Sequence, residues 1–327
     1  MAVVATGFFD GVHLGHRHLI ETLTDEAHRR NAQSLIVTFW PHPRNVLQNG
    51  ARELRLLTSL QEKKELLTAL GVDRIEVLDF TKEFSALTME QYVRQVLIGR
   101  FGAECLVLGY DNRMGRDCTD PEQIVDVARA AGLEVVRPGA LQPDGALRES
   151  CASPDDLSSR LTPSAISVGS PLHGASAQRP ISSTLIRSAL AEGRVDDASS
   201  MLGRPYRLHG VVVAGKQLGR RLGYPTANMQ LYEPLKAIPS PGVYAVWAET
   251  LEGRFKGMCN IGYRPTVDEN AALTIETHLL DFDEDIYGLD LTLDFVTRIR
   301  QECKFASLEA LSAQLGEDKR TVGRILR

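Results

Sequence analysis

The feature that most limits the fold is a change of texture near Tyr206. Before it, short β-branched runs alternate with helical patterns. "VVAT" (3–6) precedes an apolar-periodic segment from His13 to about Ala32. "SLIVTF" (34–39) leads to a helix candidate around 59–70, with Leu60, Leu66, Leu67 and Leu70 on one face. "RIEVLDF" (74–80), a helix at 88–100, "ECLVLGY" (104–110), a helix at 120–131 and "LEVVRP" (133–138) complete the series. Near-continuous apolar strands alternating with helices predict a doubly wound parallel sheet. Ligands bind such sheets beyond the carboxyl ends of the strands. A turn rich in glycine and histidine, residues 7–16, lies at one of those ends.

From Tyr206 onward the strands follow one another without crossover helices. "YRLHGVVVAG", "GVYAVWAETL", "RFKGMCNIGY", "LTIETHLLDF" and "LDLTLDFVTRI" are separated by Gly, Pro, Asp and Asn. Such spacing predicts an antiparallel β-barrel or sandwich. "SLEALSAQL" (307–315) reads as an amphipathic closing helix, with Ser307 as N-cap and Glu309 in its first turn. Between the two halves, more than half of residues 151–180 are Ser, Pro, Ala or Gly. That composition buries too little surface to offset its chain entropy, so about 143–180 is expected to be a flexible insertion. Helices are expected at 183–192 and 195–202, dividing the chain into modules 1–200 and 201–327. Two modules also suit 327 residues, given roughly 150 residues per domain.

Composition narrows the partners. A net charge of −5 argues against a general nucleic-acid binder. No apolar run approaches the ~20 residues of a bilayer span, and "MAVVATGFFD" does not read as a signal peptide. The five cysteines, Cys105, Cys118, Cys151, Cys259 and Cys303, are scattered and never in CxxC spacing. Neither a disulfide framework nor a zinc site is indicated, and a reducing cytoplasm is the expected setting.

The turn "GFFDGVHLGHRHLI" (7–20) opens a helical pattern. Helix N-termini present unpaired N–H groups and partial positive charge, so such a turn can hold phosphate. Gly7, Gly11 and Gly15 allow close approach of a nucleotide to the backbone. His13 and His16 can donate to phosphate oxygens as charge builds in a transition state. The plainer alternative makes His13 a helix cap and His16 a surface residue. In the second half, "GVVVAGKQLGRRLGYPTANM" (210–229) carries Gly215, Gly219 and Gly223 before Pro225-Thr226-Ala227-Asn228. It is not a Walker A loop, because no GK[ST] occurs in the chain. Thr226 and Asn228, two apart on an extended segment, face one side and can hold hydrated Mg²⁺ through oxygen ligands.

Together these motifs resemble the bacterial bifunctional riboflavin kinase/FAD synthetases, whose N-terminal module belongs to the HxGH nucleotidylyltransferases. "VTFWPHPRNVL" (37–47), "RLLTSLQEKKELL" (55–67), "FSALTMEQYV" (84–93), "LGYDNRMGRD" (108–117) and "ISSTLIRSALAEG" (181–193) continue the likeness. The resemblance implies that the first module adenylates FMN with ATP, releasing pyrophosphate. It implies that His13 and His16 stabilise phosphate oxygens and that Arg187 clamps the triphosphate. Gly7, Phe9, Asp10, Gly15, Ser183 and Thr184 would contact ATP, with His42 and Asp111 placing flavin. Standing alone, Asp10 reads equally as a turn former, and Ser183 or Thr184 as an N-cap. Two departures stand out: Asn112 and Met114 replace loop aromatics, and the insertion directly precedes "ISSTLIR".

"SPGVYAV" (240–246), "NIGYRPTV" (260–267), "IETHLLDFDEDIYG" (275–288) and "IRQECKF" (299–305) resemble the kinase module of the same family. The resemblance implies a closed antiparallel barrel in which Glu276 takes the proton from the ribityl 5′-hydroxyl as it attacks the γ-phosphorus of ATP. Thr226 and Asn228 would place Mg²⁺ and ATP, the Gly215–Gly223 loop would cover the phosphates, and Asn260 and Arg300 would support the flavin. The expected partners are riboflavin, FMN, FAD and ATP, with neither nucleic acid nor membrane and at most weak self-association. The competing expectations are a chain active only as a kinase and a non-catalytic flavin sensor.

Overall fold

The computed structural model describes residues 1–43, 46, 54–109, 112, 114–118, 120–141, 147–148, 180–215, 219, 222–263 and 273–327. It divides into two units, Met1–Ser183 and Thr184–Arg327. Asp111 and nearly all of the expected insertion lie outside the described residues.

The first unit is built on a five-stranded parallel sheet of β1 (Ala2–Thr6), β2 (Gln33–Trp40), β3 (Arg74–Asp79), β4 (Ala103–Val107) and β5 (Glu134–Val136). Its order is β3-β2-β1-β4-β5. The chain winds outward from β1 to β3 and then returns to place β4 on the other side of β1. The topological switch point therefore lies at the carboxyl ends of β1 and β4, where open α/β sheets bind ligands. Both faces are covered, which explains the unbroken apolar strands. Val3, Ala5 and Ile36 pack with Leu19, Ile20 and Leu23 of helix α1 (Leu14–Arg30) and Leu67 of α2 (Leu60–Ala69). Val4, Leu35 and Val37 face the opposite cluster, with Tyr92, Val93, Leu97 and Ile124. Ile124 comes from α3 (Pro121–Ala130). A short ribbon, β6 (Ala140–Leu141) with β7 (Leu147–Arg148), follows.

Local signals set the boundaries. Helix α2 starts in a capping box: Ser59 Oγ accepts from Glu62 N, and Glu62 accepts from Ser59 N. The segment expected as one α-helix over 88–100 instead runs as a short α-turn, Met89–Gln91, followed by a π-helix, Tyr92–Ile98. The wider winding leaves the Tyr92 hydroxyl 2.7 Å from Thr6 Oγ1 at the end of β1. π-Helical turns are uncommon and concentrate at functional sites.

Helix α4 (Ser183–Ala191) starts at the last residue of the first unit; in the second unit the rest of it and α5 (Val195–Leu202) lead into a closed barrel. Its strands are β8 (Tyr206–Val213), β9 (Ala227–Leu231), β10 (Gly242–Thr250), β11 (Gly253–Tyr263), β12 (Leu273–Leu279) and β13 (Asp290–Arg300). They close in the order β10-β11-β12-β9-β8-β13, with β13 pairing back onto β10. Ser240 N donates to Leu190 O, so the end of α4 is fastened to the strap before β10. The closing helix α6 (Leu308–Ile325), capped by Ser307 Oγ on Ala310 N, runs ten residues beyond the expected stop at 315. The extension is held because Asp318 and Val322 face inward, Val322 among Ala245, Met258 and Leu280.

Gly115 shows how tightly the loop after β4 is packed. It sits at φ 84°, and a Cβ there would lie 2.3 Å from the backbone nitrogen of Met89. Gly115→Ala is expected to destabilise the N-terminal unit by about 2–4 kcal/mol. The effect is read as an earlier urea transition of Trp40 fluorescence in a Trp247→Phe background; an unchanged midpoint would contradict the packing described.

Candidate active sites

The first site grows from the end of β1. Gly7 N donates to Val37 O, and the chain then turns through left-handed residues: Phe9 (φ 53°), Gly11 (φ 82°) and Val12 (φ 40°). For Phe and a β-branched Val this is strained backbone. The turn is braced by Asp10, whose buried carboxylate accepts from Leu57 N at 2.9 Å and Thr58 N at 3.1 Å. Gly11 N donates to Thr58 Oγ1 at 3.0 Å, and Ser183 Oγ donates to Asp10 O at 2.8 Å. Asp10, expected to contact ATP, thus has its carboxylate directed to the protein backbone.

His13 is the N-cap of α1, its Nδ1 accepting from His16 N at 3.3 Å. The two imidazoles stack with centroids 3.7 Å apart, at 16°. Gly15 makes room for this: a Cβ there would lie 3.2 Å from His13 Nδ1. The cap and the ligand readings of His13 are therefore compatible, since only one ring nitrogen serves the helix. Burial, assisted by the charge of Lys63, pushes the His16 pKa down to about 3, and His16 Nδ1 is buried without a hydrogen-bond partner. The Phe9 ring lies edge-on to His16, and Phe8 lies edge-on to His42 at 3.9 Å. Ser183 begins α4; Thr184 on that helix is exposed and Arg187, one turn along, is half-buried. Of the departures from the family pattern, Asn112 donates through Nδ2 to Thr6 O at 2.6 Å. Met114 is not a pocket wall: it is buried in the core cluster with Met89 and Val93.

The second site is a row across the barrel. Asn228 on β9 pairs with Glu276 on β12, which pairs with Asn260 on β11. Directly opposed residues share a face, so the carboxylate lies between two carboxamide-bearing positions. Asn260 in turn opposes Val243, which opposes Arg300. Glu276, Asn260, His278 and Arg300 line a cavity of about 300 Å³ closed by Leu311 and Leu315 of α6. A second cavity of about 360 Å³ is lined by Val212, Ala227, Phe282, Asp283 and Tyr287. Thr226 lines both.

Several contacts set this geometry. His278 Nδ1 donates to Pro225 O at 2.8 Å, fixing the segment that carries Thr226; burial lowers its pKa. A Cβ on Gly215 would lie 2.1 Å from Asn228 Nδ2, so only glycine lets the loop cross that carboxamide. Gly219 O accepts from Leu222 N and Tyr224 N, and Gly223 turns at φ 81°. Arg300 lines the cavity while its guanidinium grips Asp318 through Nε at 3.0 Å and Nη2 at 2.8 Å. Asp318 is 1% exposed. Among the described residues no group of three or more His, Cys, Asp or Glu could hold a metal. The hydroxyl and carboxamide of Thr226 and Asn228 are hard oxygen donors of the kind that share Mg²⁺ with phosphates and water.

Lys63, Thr58, Tyr92 and Asp318 were not singled out from sequence. Only Lys63 left a readable sign, a cation between Leu60 and Leu67 on the face that must be apolar.

Residues 1–150 match the family model described as FAD synthetase, and residues 202–326 the one described as riboflavin kinase. A bifunctional riboflavin kinase/FMN adenylyltransferase of Listeria monocytogenes is 34% identical, the match covering 97% of this chain and 90% of that protein. The Escherichia coli K12 enzyme of the same name is 34% identical, over 98% and 91%. A solved structure described as a macrolide-efflux protein from Streptococcus pneumoniae superposes with TM-score 0.80 at 27% identity, over 98% of this chain and 93% of that one. No helix among the described residues is long and apolar enough to cross a membrane. With both modules matched and relatives aligned over nearly its whole length, the chain belongs to the bifunctional riboflavin kinase/FMN adenylyltransferase family.

Proposed function

We propose that this chain makes FMN from riboflavin and FAD from FMN, using ATP in both steps, with a separate pocket for each. The observation that carries the kinase reading is the meeting of two cavities at Thr226, with Glu276 in one of them. Flavin occupies the cavity under α6, and ATP the one lined by Phe282 and Tyr287. Glu276 accepts the proton of the ribityl 5′-hydroxyl as that oxygen attacks the γ-phosphorus, and ADP leaves. Thr226 and Asn228 would hold Mg²⁺, which when bound offsets phosphate charge. Asn260 orients the flavin beside Glu276, and Arg300 keeps the closing helix over it.

In the N-terminal unit a phosphate oxygen of FMN attacks the α-phosphorus of ATP, and pyrophosphate departs. The start of α1 supplies unpaired N–H groups. His13 through Nε2, and His16, donate to the phosphate oxygens as charge accumulates. Arg187, with Ser183 and Thr184 at the start of its helix, neutralises the leaving group. His42 and Asp111 place the flavin phosphate. The reading sets the enzyme in the cytoplasm, with riboflavin, FMN, FAD and ATP as partners and no more than weak self-association.

Incubation of the purified chain with riboflavin, ATP and Mg²⁺, followed by separation of flavins, is expected to yield both FMN and FAD. FMN alone would reduce the reading to a kinase; bound flavin with neither product would make the chain a sensor. Glu276→Gln is expected to slow FMN formation by about two to four orders of magnitude while FMN adenylation persists. Loss of both activities would show that the sites are not separate. His16→Ala is expected to lower the FAD yield about a hundredfold or more with FMN formation intact; an undiminished yield would make the stacked histidines structural.

A further inference from the structure

Helix α2 places a lysine where its apolar face meets the sheet. Lys63 is 1% exposed, and its Nζ donates to Phe8 O at 2.9 Å and Thr38 Oγ1 at 3.0 Å. The ammonium lies 4.1 Å from the centroid of the Phe8 ring, the ring that meets His42. Phe8 directly precedes the left-handed Phe9. Packing alone is better served here by Leu or Met, because an enclosed ammonium is costly to desolvate. A charge kept at this place therefore needs a return, and its contacts all lead to the phosphate-facing turn.

We propose that Lys63 is a positioning residue for adenylation: anchored by the Phe8 carbonyl, its ammonium fixes the turn after β1 and keeps a positive charge beside His16. The proposal rests on the reading of the N-terminal unit as an FMN adenylyltransferase. Two ionisable groups act on this charge, Asp10 on the turn, which favours it, and His16 on α1, whose protonation it opposes. Burial outweighs Asp10 and pushes the Lys63 pKa down to about 8. The charge is thus present below that pH and lost above it. Bound triphosphate favours the ammonium, so the loss moves to higher pH in the substrate complex.

The test compares the full chain with Lys63→Arg and Lys63→Met, measuring FMN adenylation from about pH 6 to about pH 10 and riboflavin phosphorylation in parallel. In the unaltered chain kcat/KM for adenylation falls above about pH 8, and kcat falls later. Lys63→Arg, which keeps its charge, moves the alkaline limb to higher pH. Lys63→Met lacks that limb and is about a hundredfold slower. FMN formation is unchanged in both. An alkaline limb unmoved by Lys63→Arg, or Lys63→Met at full speed, overturns the inference while leaving the adenylyltransferase reading intact. So does a parallel loss of both activities, which would mark a purely structural lysine. Should Lys63→Met fail to fold, the comparison of the two alkaline limbs decides alone. An unaltered chain that makes no FAD at any pH overturns both.

Discussion

Asp10 is the residue on which the N-terminal site depends. Its carboxylate draws in the backbone of Leu57 and Thr58, and its carbonyl takes the hydroxyl of Ser183. Segments about 50 and 170 positions away in sequence are thereby tied to one turn. That turn holds two non-glycine residues in the left-handed region, each at a cost of about 1–3 kcal/mol. Such strain persists only where surrounding bonds over-determine it. Without the brace, β1 could relax into an ordinary strand-to-helix connection, and His13 would no longer cap α1 while stacking on His16.

The barrel reaches the same end by a different route. There strand register does most of the positioning. Once β9, β12 and β11 pair as they do, Asn228, Glu276 and Asn260 fall in one row. What register cannot supply is a lid, and α6 provides it through Arg300 and Asp318. Removing one partner of a buried ion pair costs about 3–5 kcal/mol, so the closing helix is held by the same arginine that lines the cavity.

Much of this was legible in the sequence because it depends on period and punctuation. Alternating apolar runs gave the parallel sheet, and closely spaced strands the barrel. Ser307 marked a helix start that the structure retains. What stayed hidden depends on partners distant in the chain. Nothing local distinguishes an Asp10 that binds nucleotide from one that binds the backbone of Leu57. The π-helix at Tyr92 has no periodic signature over seven residues, and it serves a hydroxyl bond to Thr6. Met114 departs from the family pattern in a loop, yet its side chain enters the core, so the departure bears on packing. Helix α6 outran its expected end because Asp318 turns inward to Arg300 of β13, a partner that no local pattern marks.

The electrostatics of the two histidines follow from the same burial. An imidazole with a pKa near 3 is neutral at neutral pH, so His16 adds no charge of its own to the turn. Positive potential beside that ring comes from the N-terminal end of α1 and, below about pH 8, from the enclosed ammonium of Lys63. A neutral ring donates one hydrogen bond and adds no second cation beside Lys63. On the proposed adenylyltransferase reading, a phosphate reaching this ring would favour its protonation, so their interaction would strengthen as negative charge builds. Such a gain would be differential binding, which is what the proposed adenylation would require of the ring.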